Sequence, residues 1–301
     1  MAGSKPLQDT KWLLDGSIYF FRGYFGMPET LVDAEGEFCG GVHGFARALL
    51  VVLQRHGSAN GLVAFDQSLG TCFRNDIYPD YKANRAPPDD NIIYQFAQCE
   101  RLCDLLGLSH VADRRYEADD LLATAAKRSR KKTIIYSKDK DLRQLVNLKC
   151  ELRDLLGDDL HTRRSFAREY GFAPALFPDY QALVGDTSDN VPGIAGFGPK
   201  TAARLIAAYG SLEAVVGARA RFATDRVGVP PEGKLAANLV SGLPQALKMR
   251  DVLRLSTSAP LPPGATRRRA IQVAPLVEFL AARRLRQFAR GLVRLDLLPS
   301  Q

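Results

Sequence analysis

The stretch KWLLDGS, residues 11–17, is a short apolar run that ends in an aspartate and a Gly-Ser turn. Two further apolar runs also end at aspartates, GLVAFD at 61–66 and KTIIYSKD at 132–139. Continuous apolar runs of this length are typical of strands buried on both faces of a parallel sheet. Because ligands bind at the carboxyl ends of strands in open α/β sheets, the three aspartates are expected to meet in one crevice.

The rest of the first half alternates between helical and extended patterns. This alternation predicts an α/β fold with a mainly parallel central sheet and helices on both faces, whereas short helical segments dominate from residue 165 onward. We predict helices over 41–56, from Asp89 or Asp90 to about 106, from the EADD motif at 117–120 and, briefly, after Asp141, with further strands near 108–112, 133–137 and 148–153.

Carboxylates cluster where these elements end. So many acids in one crevice cannot all stay ionised without counter-charge, and Mg²⁺, which prefers oxygen ligands, supplies it. Two such ions can clamp the attacking and leaving oxygens of a phosphodiester, so the pattern predicts a metal-dependent nuclease. The nine candidate metal ligands are Asp15, Asp66, Glu117, Asp119, Asp120, Asp139, Asp141, Asp186 and Asp189.

Each acidic motif also has a simpler structural interpretation. The acids of EADD would complement a helix dipole. SKDKD at 137–141 would form a polar turn, and GDTSDNVPG at 185–193 would form a turn or a helix cap. Their shared position at the crevice end of the sheet favours the metal site.

Charge is divided unevenly along the chain. Residues 1–186 hold 24 Lys+Arg and 26 Asp+Glu, whereas residues 187–301 hold 17 and 7. The first part therefore carries the acids for chemistry, and the second carries the positive charge that would hold a polyanion such as DNA. A merely solubilising charged surface is the alternative.

Two further motifs suit nucleic-acid binding. GIAGFGPKTA at 193–202 is a glycine-rich turn before a helix expected near Thr201, and its backbone N–H groups can approach a phosphate. Between 70 and 98, cations alternate with tyrosines that can stack on unpaired bases. An ordinary glycine-rich loop and a solvated charged helix are the alternatives. The candidate DNA-binding residues are Arg74, Tyr78, Tyr81, Lys82, Arg85, Gly193, Gly196, Gly198, Lys200 and Thr201.

Membrane and disulfide-stabilised classes are not favoured. No apolar run approaches the roughly 20 residues that span a bilayer, and five irregularly spaced cysteines do not suggest a disulfide framework. We expect a soluble, cytoplasmic protein that is associated with the nucleoid when it binds DNA.

Taken in order, the motifs LLDGS, YPDYKANRAPPDD, YEADDLLAT, SKDKDLRQLV and GDTSDNVPGIAGFGPKTAARLI resemble the 5′-nuclease family over roughly residues 11–216. That family includes bacterial 5′–3′ exonucleases, the N-terminal domain of DNA polymerase I and flap endonucleases. The resemblance implies a PIN-like central sheet with a helical arch and a helix-hairpin-helix. It gives a nuclease core at 11–185 with an arch at about 70–98, and a helical, basic DNA-binding region at 186–301 with the helix-hairpin-helix at about 186–210.

The resemblance also implies residue roles. Lys82, with Arg85 beside it, would act catalytically by drawing the scissile phosphate towards the metals, while Tyr78 and Tyr81 would stack on bases. The loop 193–198 would hold duplex DNA, with a possible K⁺ bound by its carbonyl groups. The first metal would lie among Asp15, Asp66, Glu117, Asp119 and Asp120, and the second among Asp139, Asp141, Asp186 and Asp189.

These features predict a free-standing, monomeric 5′–3′ exonuclease and flap endonuclease that uses two Mg²⁺ or Mn²⁺ ions. The expected substrates are DNA flaps, nicks and gaps with a free 5′ end, and RNA–DNA primer ends. SKDKD replaces the family's common TGDKD but keeps both acids. A catalytically weak structure-specific DNA-binding protein and a PIN-like RNase remain as alternatives.

Overall fold

A six-stranded sheet lies at the centre of the structure and brings the acidic strand ends together. The computed structural model describes residues 10–57, 59–155, 157, 159–218 and 233–299. The strands are β1 (Thr10–Asp15), β2 (Gly61–Asp66), β3 (Ser109–Asp113), β4 (Lys132–Tyr136), β5 (Cys150–Arg153) and β6 (Leu160–His161). Their order is β3-β2-β1-β4-β5-β6, and only the β5–β6 pair is antiparallel.

The predicted mainly parallel sheet is confirmed, and each predicted strand lies within two residues of its expected bounds. β6 was not predicted, because two residues carry no periodic pattern. The central strand β1 is covered on both faces, and Trp12, Leu13 and Leu14 have no exposed surface. Trp12 pairs with Gly61 of β2. A Cβ atom on residue 61 would lie 2.0 Å from the indole ring of Trp12, so position 61 requires glycine.

Helices cover both faces of the sheet and form a separate bundle beyond it. They are α1 (Gly16–Gly26), α2 (Gly40–His56), α3 (Phe73–Ile77), α4 (Asp90–Leu105), α5 (Ala118–Arg128), α6 (Arg163–Tyr170), α7 (Phe177–Val184), α8 (Pro199–Tyr209), α9 (Leu212–Ala218), α10 (Gly233–Leu253), α11 (Val273–Ala282) and α12 (Arg286–Arg294). Short 3-10 helices lie at Asp141–Leu145, Pro174–Leu176 and Thr187–Asp189.

Each group of helices has its own apolar core. α1, α2, α4, α11 and α12 pack on one face of the sheet, and α5 packs on the other. Asp89 caps α4 as predicted, since its carboxylate accepts from the N–H of Ile92 at 2.7 Å. α6 to α10 bury a third core that includes Phe166, Phe177 and Leu239.

The last described segment wraps around the sheet. Leu255 and Ala259 pack with α5, the N–H of Arg269 donates to the carbonyl of Gly107 at 2.7 Å, and α11 and α12 then pack on α2 and α4. The three apolar cores do not divide the chain at residue 186, where the predicted boundary between the two regions lies. α6 and α7, which precede that residue, belong to the helical core, and residues 255–298, which follow it, pack on the sheet. No helix among the described residues has the length and apolar character needed to span a membrane.

Candidate metal centre

The carboxyl ends of β1, β2 and β4 place three acids at one edge of the sheet, as predicted. Asp15 ends β1, Asp66 ends β2, and Asp139 follows β4 after two residues. Asp15 is in register with Ala64, so Asp66, two residues further, points to the same face. The crevice is therefore a direct consequence of parallel strand register.

A serine hydroxyl links the acids of β1 and β4. Asp15 accepts from the N–H of Ile18 at 3.1 Å, which caps α1, and from the hydroxyl of Ser137 at 2.7 Å. The same hydroxyl accepts from the N–H of Asp139 at 2.9 Å. The first residue of the SKDKD motif thus holds the carboxylate of Asp15 and the backbone of Asp139.

The start of α5 contributes three acids that have different surroundings. Asp119 faces the crevice, where Asp139, Asp15 and Asp66 are its electrostatic neighbours. Glu117 is ion-paired with Lys82 and accepts from the hydroxyl of Tyr81 at 2.9 Å. These two acids lie where the sequence placed them.

Asp120 departs from the prediction that it lies beside the first metal. Its side chain is fully buried, and its oxygens accept from both terminal nitrogens of Arg74, at 2.6 and 2.9 Å, and from the N–H of Ser256 at 2.7 Å. Asp120 also accepts from the N–H of Glu117 at 3.1 Å, which caps α5. Because its oxygens are engaged in this way, we correct its role from metal ligand to buried ion-pair partner.

The second acidic cluster forms where the turn after Asp139 meets the loop after α7. Carboxylate oxygens of Asp141, Asp186 and Asp189 lie within 4.8 Å of one another. Three hard oxygen donors at this separation fit a divalent cation such as Mg²⁺. Asp139 adjoins this cluster and accepts from the N–H of Asp141 at 2.8 Å.

Three polar residues that were not among the predicted site residues hold these acids. Gln181 of α7 donates to Asp141, while the ammonium of Lys140 lies 2.8 Å from Asp186. Ser137 is the third, as described above. Their positions beside acids were visible in the sequence for Ser137 and Lys140, but nothing local marks Gln181, which is contributed by a helix 40 residues away.

Burial and mutual repulsion favour the protonated forms of several carboxyl groups. Burial and the charge of Asp66 raise the pKa of Asp15 to about 7, and burial with Asp139 raises the pKa of Asp141 to about 8. The same causes raise the pKa of Asp119 well above its usual range. Despite its burial, Glu117 has a pKa of about 2, because Lys82 and Arg74 stabilise its charge. A bound divalent cation would relieve this repulsion.

We expect the metal-free protein to lose thermal stability as the pH rises from 5 to 9. The pKa of an unfolded aspartate is about 3.9, whereas the folded-state pKa values of Asp15 and Asp141 are about 7 and 8. Between these limits the folded state holds more protons, so the free energy of unfolding falls as the pH rises.

Melting curves with EDTA or with Mg²⁺ would test this expectation. Mg²⁺ should raise Tm more at pH 8.5 than at pH 5.5, because fewer protons compete with the metal. Asp141→Asn should flatten the pH dependence in EDTA. A metal-free protein that gains stability over this range would contradict the electrostatic account.

The predicted arch segment lies directly on these acids. Among the described residues between β2 and α4, α3 is the only helix, and the remainder consists of turns and extended chain. Lys82 adopts a left-handed backbone, φ 56°, and its N–H donates to the carbonyl of Asp189 at 3.0 Å. The guanidinium of Arg85 lies 2.6 Å from Asp189. Lys82 and Arg85 therefore lie at the crevice, as their predicted role requires.

Two other residues of this segment do not match the prediction. Arg74 and Tyr81 are 2% and 5% exposed, so the expectation that they contact DNA is wrong for this conformation. Arg74 binds Asp120 and the carbonyl of Val252, and Tyr81 packs against the helical core. Tyr78 is half-buried against that core.

Arg74→Ala is expected to lower the free energy of unfolding by about 3 kcal/mol, because it leaves the Asp120 carboxylate buried without its partner. The double variant Arg74→Met/Asp120→Asn should recover part of the loss, because the amide carries no charge and its oxygen can still accept from the N–H of Ser256. Arg115→Met, which breaks an exposed pair with Asp76, should cost little. Chemical denaturation would measure all three, and equal losses for the Arg74 and Arg115 variants would show that Arg74 is not a structural residue.

A helix-hairpin-helix continues directly from the second acidic cluster. α7, the turn and α8 form it, and α8 begins at Pro199, two residues before the predicted start. Backbone hydrogen bonds of 2.7 and 2.8 Å between Asp186 and Val191 close the loop. A Cβ atom on Gly193 would lie 2.3 Å from the carbonyl oxygen of Val184, so only glycine fits.

The hairpin exposes the groups that an anion would need. Ile194 and Phe197 anchor it in the helical core, while Thr201 is half-buried in the first turn of α8. The backbone N–H groups and the N-terminus of α8 are placed to meet a phosphate. The predicted residues Gly193, Gly196, Gly198 and Lys200 are all exposed.

A mainly parallel sheet, an acidic crevice at its carboxyl end and an adjoining hairpin define an α/β protein whose carboxylates are arranged as a divalent metal would require. The pattern described as "5'-3' exonuclease, N-terminal resolvase-like domain" matches residues 10–171, and "5'-3' exonuclease, C-terminal SAM fold" matches 172–273. The chain belongs to the 5′–3′ exonuclease family.

Relatives and solved structures agree with this assignment. The chain is 36% identical over 210 residues to a 5′–3′ exonuclease of Aquifex aeolicus, covering 69% of this chain and 72% of that protein. It is 40% identical over 205 residues to the thermostable DNA polymerase I of Thermus filiformis, covering 67% of this chain but only 24% of the polymerase. A bacteriophage T5 flap endonuclease in a pseudo-enzyme-product complex with DNA and metal ions shares the fold, with a TM-score of 0.63, 17% identity and coverage of 95% and 98% of the two chains.

Proposed function

We propose that the protein is a divalent-metal-dependent 5′–3′ exonuclease and structure-specific flap endonuclease that acts on DNA with a free 5′ end. The observation that carries this proposal is the convergence of Asp141, Asp186 and Asp189 within 4.8 Å, in a loop continuous with the hairpin. Family membership and the DNA and metal ions bound by the T5 flap endonuclease support it.

The residues divide between two metal positions. Asp141, Asp186 and Asp189 would hold one ion with Asp139 beside them, and Asp15, Asp66 and Asp119 would hold the other, with Glu117 available if Lys82 moves. When bound, the ions would activate a water molecule and stabilise the charge that develops on the phosphodiester. Mg²⁺ or Mn²⁺ as the native ions, and a K⁺ at the hairpin, remain predictions.

The chain's own cations would position the phosphate over this centre. Lys82 and Arg85 now neutralise Glu117 and Asp189, and the scissile phosphate would replace these carboxylates as their partner once metal occupies the crevice. The exposed hairpin would hold the duplex through its backbone N–H groups and Lys200. The scissile phosphate and the duplex would thus both be fixed relative to the acids.

Lys200→Ala should weaken binding to duplexes of different sequence by a similar factor, because a phosphate contact carries no base information. The slope of log K against log salt should fall by roughly one. Lys149→Ala, which removes another exposed lysine, is the matched control and should leave the slope unchanged. Fluorescence anisotropy at several salt concentrations would measure both variants, and an unchanged Lys200 slope would reject the contact.

Matched flaps of DNA and RNA would separate this function from its alternatives. We expect rapid cleavage of the DNA flap in millimolar Mg²⁺ and none in EDTA. Binding without turnover would instead indicate a catalytically weak DNA-binding protein, and faster cleavage of RNA would indicate a PIN-like RNase. A monomeric, cytoplasmic enzyme, with RNA–DNA primer ends among its substrates, is part of the proposal.

A further inference from the structure

A second concave site lies on α11 and α12, away from the acidic crevice. It has a volume of about 690 Å³ and shares no lining residue with the crevice pocket. All of its lining residues lie beyond residue 273, where the match to the family ends. The proposed nuclease activity gives this groove no role.

The rim of the groove is strongly cationic. Four arginines line it, all exposed, and none of them has a carboxylate partner among the described residues. The preceding Arg283 differs, since it is buried and ion-paired with Asp33. An arginine cluster without internal partners favours an anionic ligand, because guanidinium groups bind carboxylates and phosphates through paired hydrogen bonds. The rim consists of Arg284, Arg286, Arg290 and Arg294.

The floor of the groove is apolar. Leu280 and Leu298 are buried in the main core, so the floor is continuous with the packed interior. A polyphosphate backbone would satisfy the rim but leave this floor without apolar contacts. A ligand that fits both must combine negative charge with apolar side chains. The floor is lined by Val277, Leu280, Ala281, Ala289, Val293 and Leu298.

The groove is held in shape by close helix packing. Gly291 lets α12 approach α2 so closely that a Cβ atom would lie 2.6 Å from the side chain of Leu50. The buried pair of Arg283 with Asp33 fixes the end of α11, and Arg284 turns the chain with a φ of 51°. A preformed site reduces the ordering cost of binding.

From the apolar floor and the unpaired arginine rim, we infer that this groove docks a short acidic peptide segment of a partner protein, with apolar side chains among its carboxylates. The rim would pair with the carboxylates, and the floor would receive one or two apolar side chains. Such a contact would recruit the enzyme without occupying the crevice or the hairpin.

The test uses the full chain and a fluorescein-labelled nine-residue peptide of five aspartates interleaved with leucine and phenylalanine. Anisotropy should show saturable binding. The charge reversal Arg290→Glu/Arg294→Glu should weaken it by more than about tenfold. Arg128→Glu, an exposed arginine on α5 outside the groove, is the control and should have little effect. Ala281→Glu, at an exposed floor position, should also weaken binding.

A second peptide, with serine in place of the leucine and phenylalanine, separates the contribution of the apolar floor to binding from that of the arginine rim. We expect it to bind at least about tenfold more weakly. Equal affinity of the two peptides, or equal effects of the Arg128 and Arg290/Arg294 variants, would reduce the site to a general polyanion surface and overturn the proposal. A double variant that loses affinity for duplex DNA but keeps the peptide would assign the rim to DNA instead and overturn it as well.

Discussion

Asp186→Asn is expected to lower the single-turnover rate of flap cleavage by about a thousandfold, or about 4 kcal/mol of transition-state stabilisation. The change removes the charge of a carboxylate whose oxygen lies within 4.8 Å of those of Asp141 and Asp189. The amide keeps the size of the side chain and can still accept from Ser188. The defect should therefore reflect metal binding rather than misfolding.

The dissociation constant for the same flap should not rise, because the variant also carries less negative charge towards DNA. Glu278→Gln, which neutralises an exposed acid on α11, is the matched control and should cleave normally. Quench-flow rates and anisotropy on one substrate would separate chemistry from binding. If Asp186→Asn cleaved the flap at the rate of the unaltered protein, Asp186 would not be a metal ligand.

Lys82→Ala is expected to slow the chemical step by about a hundredfold to a thousandfold while changing the dissociation constant only a few-fold. Its ammonium is ion-paired with Glu117 and lies 3.9 Å from Asp189, so it is placed to act on the phosphate as negative charge develops. An interaction that strengthens only in the transition state lowers the rate rather than the affinity when it is lost.

Lys138→Ala removes an exposed lysine next to Asp139 and provides the control for the local loss of positive charge. The Lys138 change should lower the logarithm of the cleavage rate by less than about a fifth of the decrease that the Lys82 change causes. If Lys82→Ala altered only the dissociation constant, the segment between β2 and α4 would be a simple electrostatic surface rather than part of the catalytic centre.

Local patterns were sufficient to predict the first five strands of the sheet and most of the acids that follow them. Apolar runs such as those ending at Asp15 and Asp66 are long enough to identify buried strands, and parallel strands necessarily bring their carboxyl ends together. The capping of α4 by Asp89 was predictable for the same reason, since a helix start depends on a few adjacent residues.

Long-range partnerships were not predictable in this way. The ion pair between Asp120 and Arg74 could not be predicted from the sequence, because the two residues are 46 positions apart. A third segment also contributes, since the N–H of Ser256 donates to Asp120. Asp119 and Asp120 are adjacent, but successive helix residues point in directions about 100° apart, so one faces the crevice and the other the core. The wrapping of α11 and α12 onto the sheet also rests on contacts between distant segments, such as Arg283 with Asp33.

Product mapping on a DNA flap is the decisive test of the proposed 5′-nuclease activity. The flap strand carries one label at its 5′ end and another at its 3′ end, and it is mixed with the protein and millimolar Mg²⁺. A metal-dependent 5′ nuclease should cut near the junction between single and double strand, release 5′-labelled flap fragments and leave a 5′-phosphate on the retained strand. All cleavage should disappear in EDTA and fall about a thousandfold with Asp186→Asn. Degradation that proceeds from the 3′ end, or cleavage that persists in EDTA, would contradict a metal-dependent 5′ nuclease.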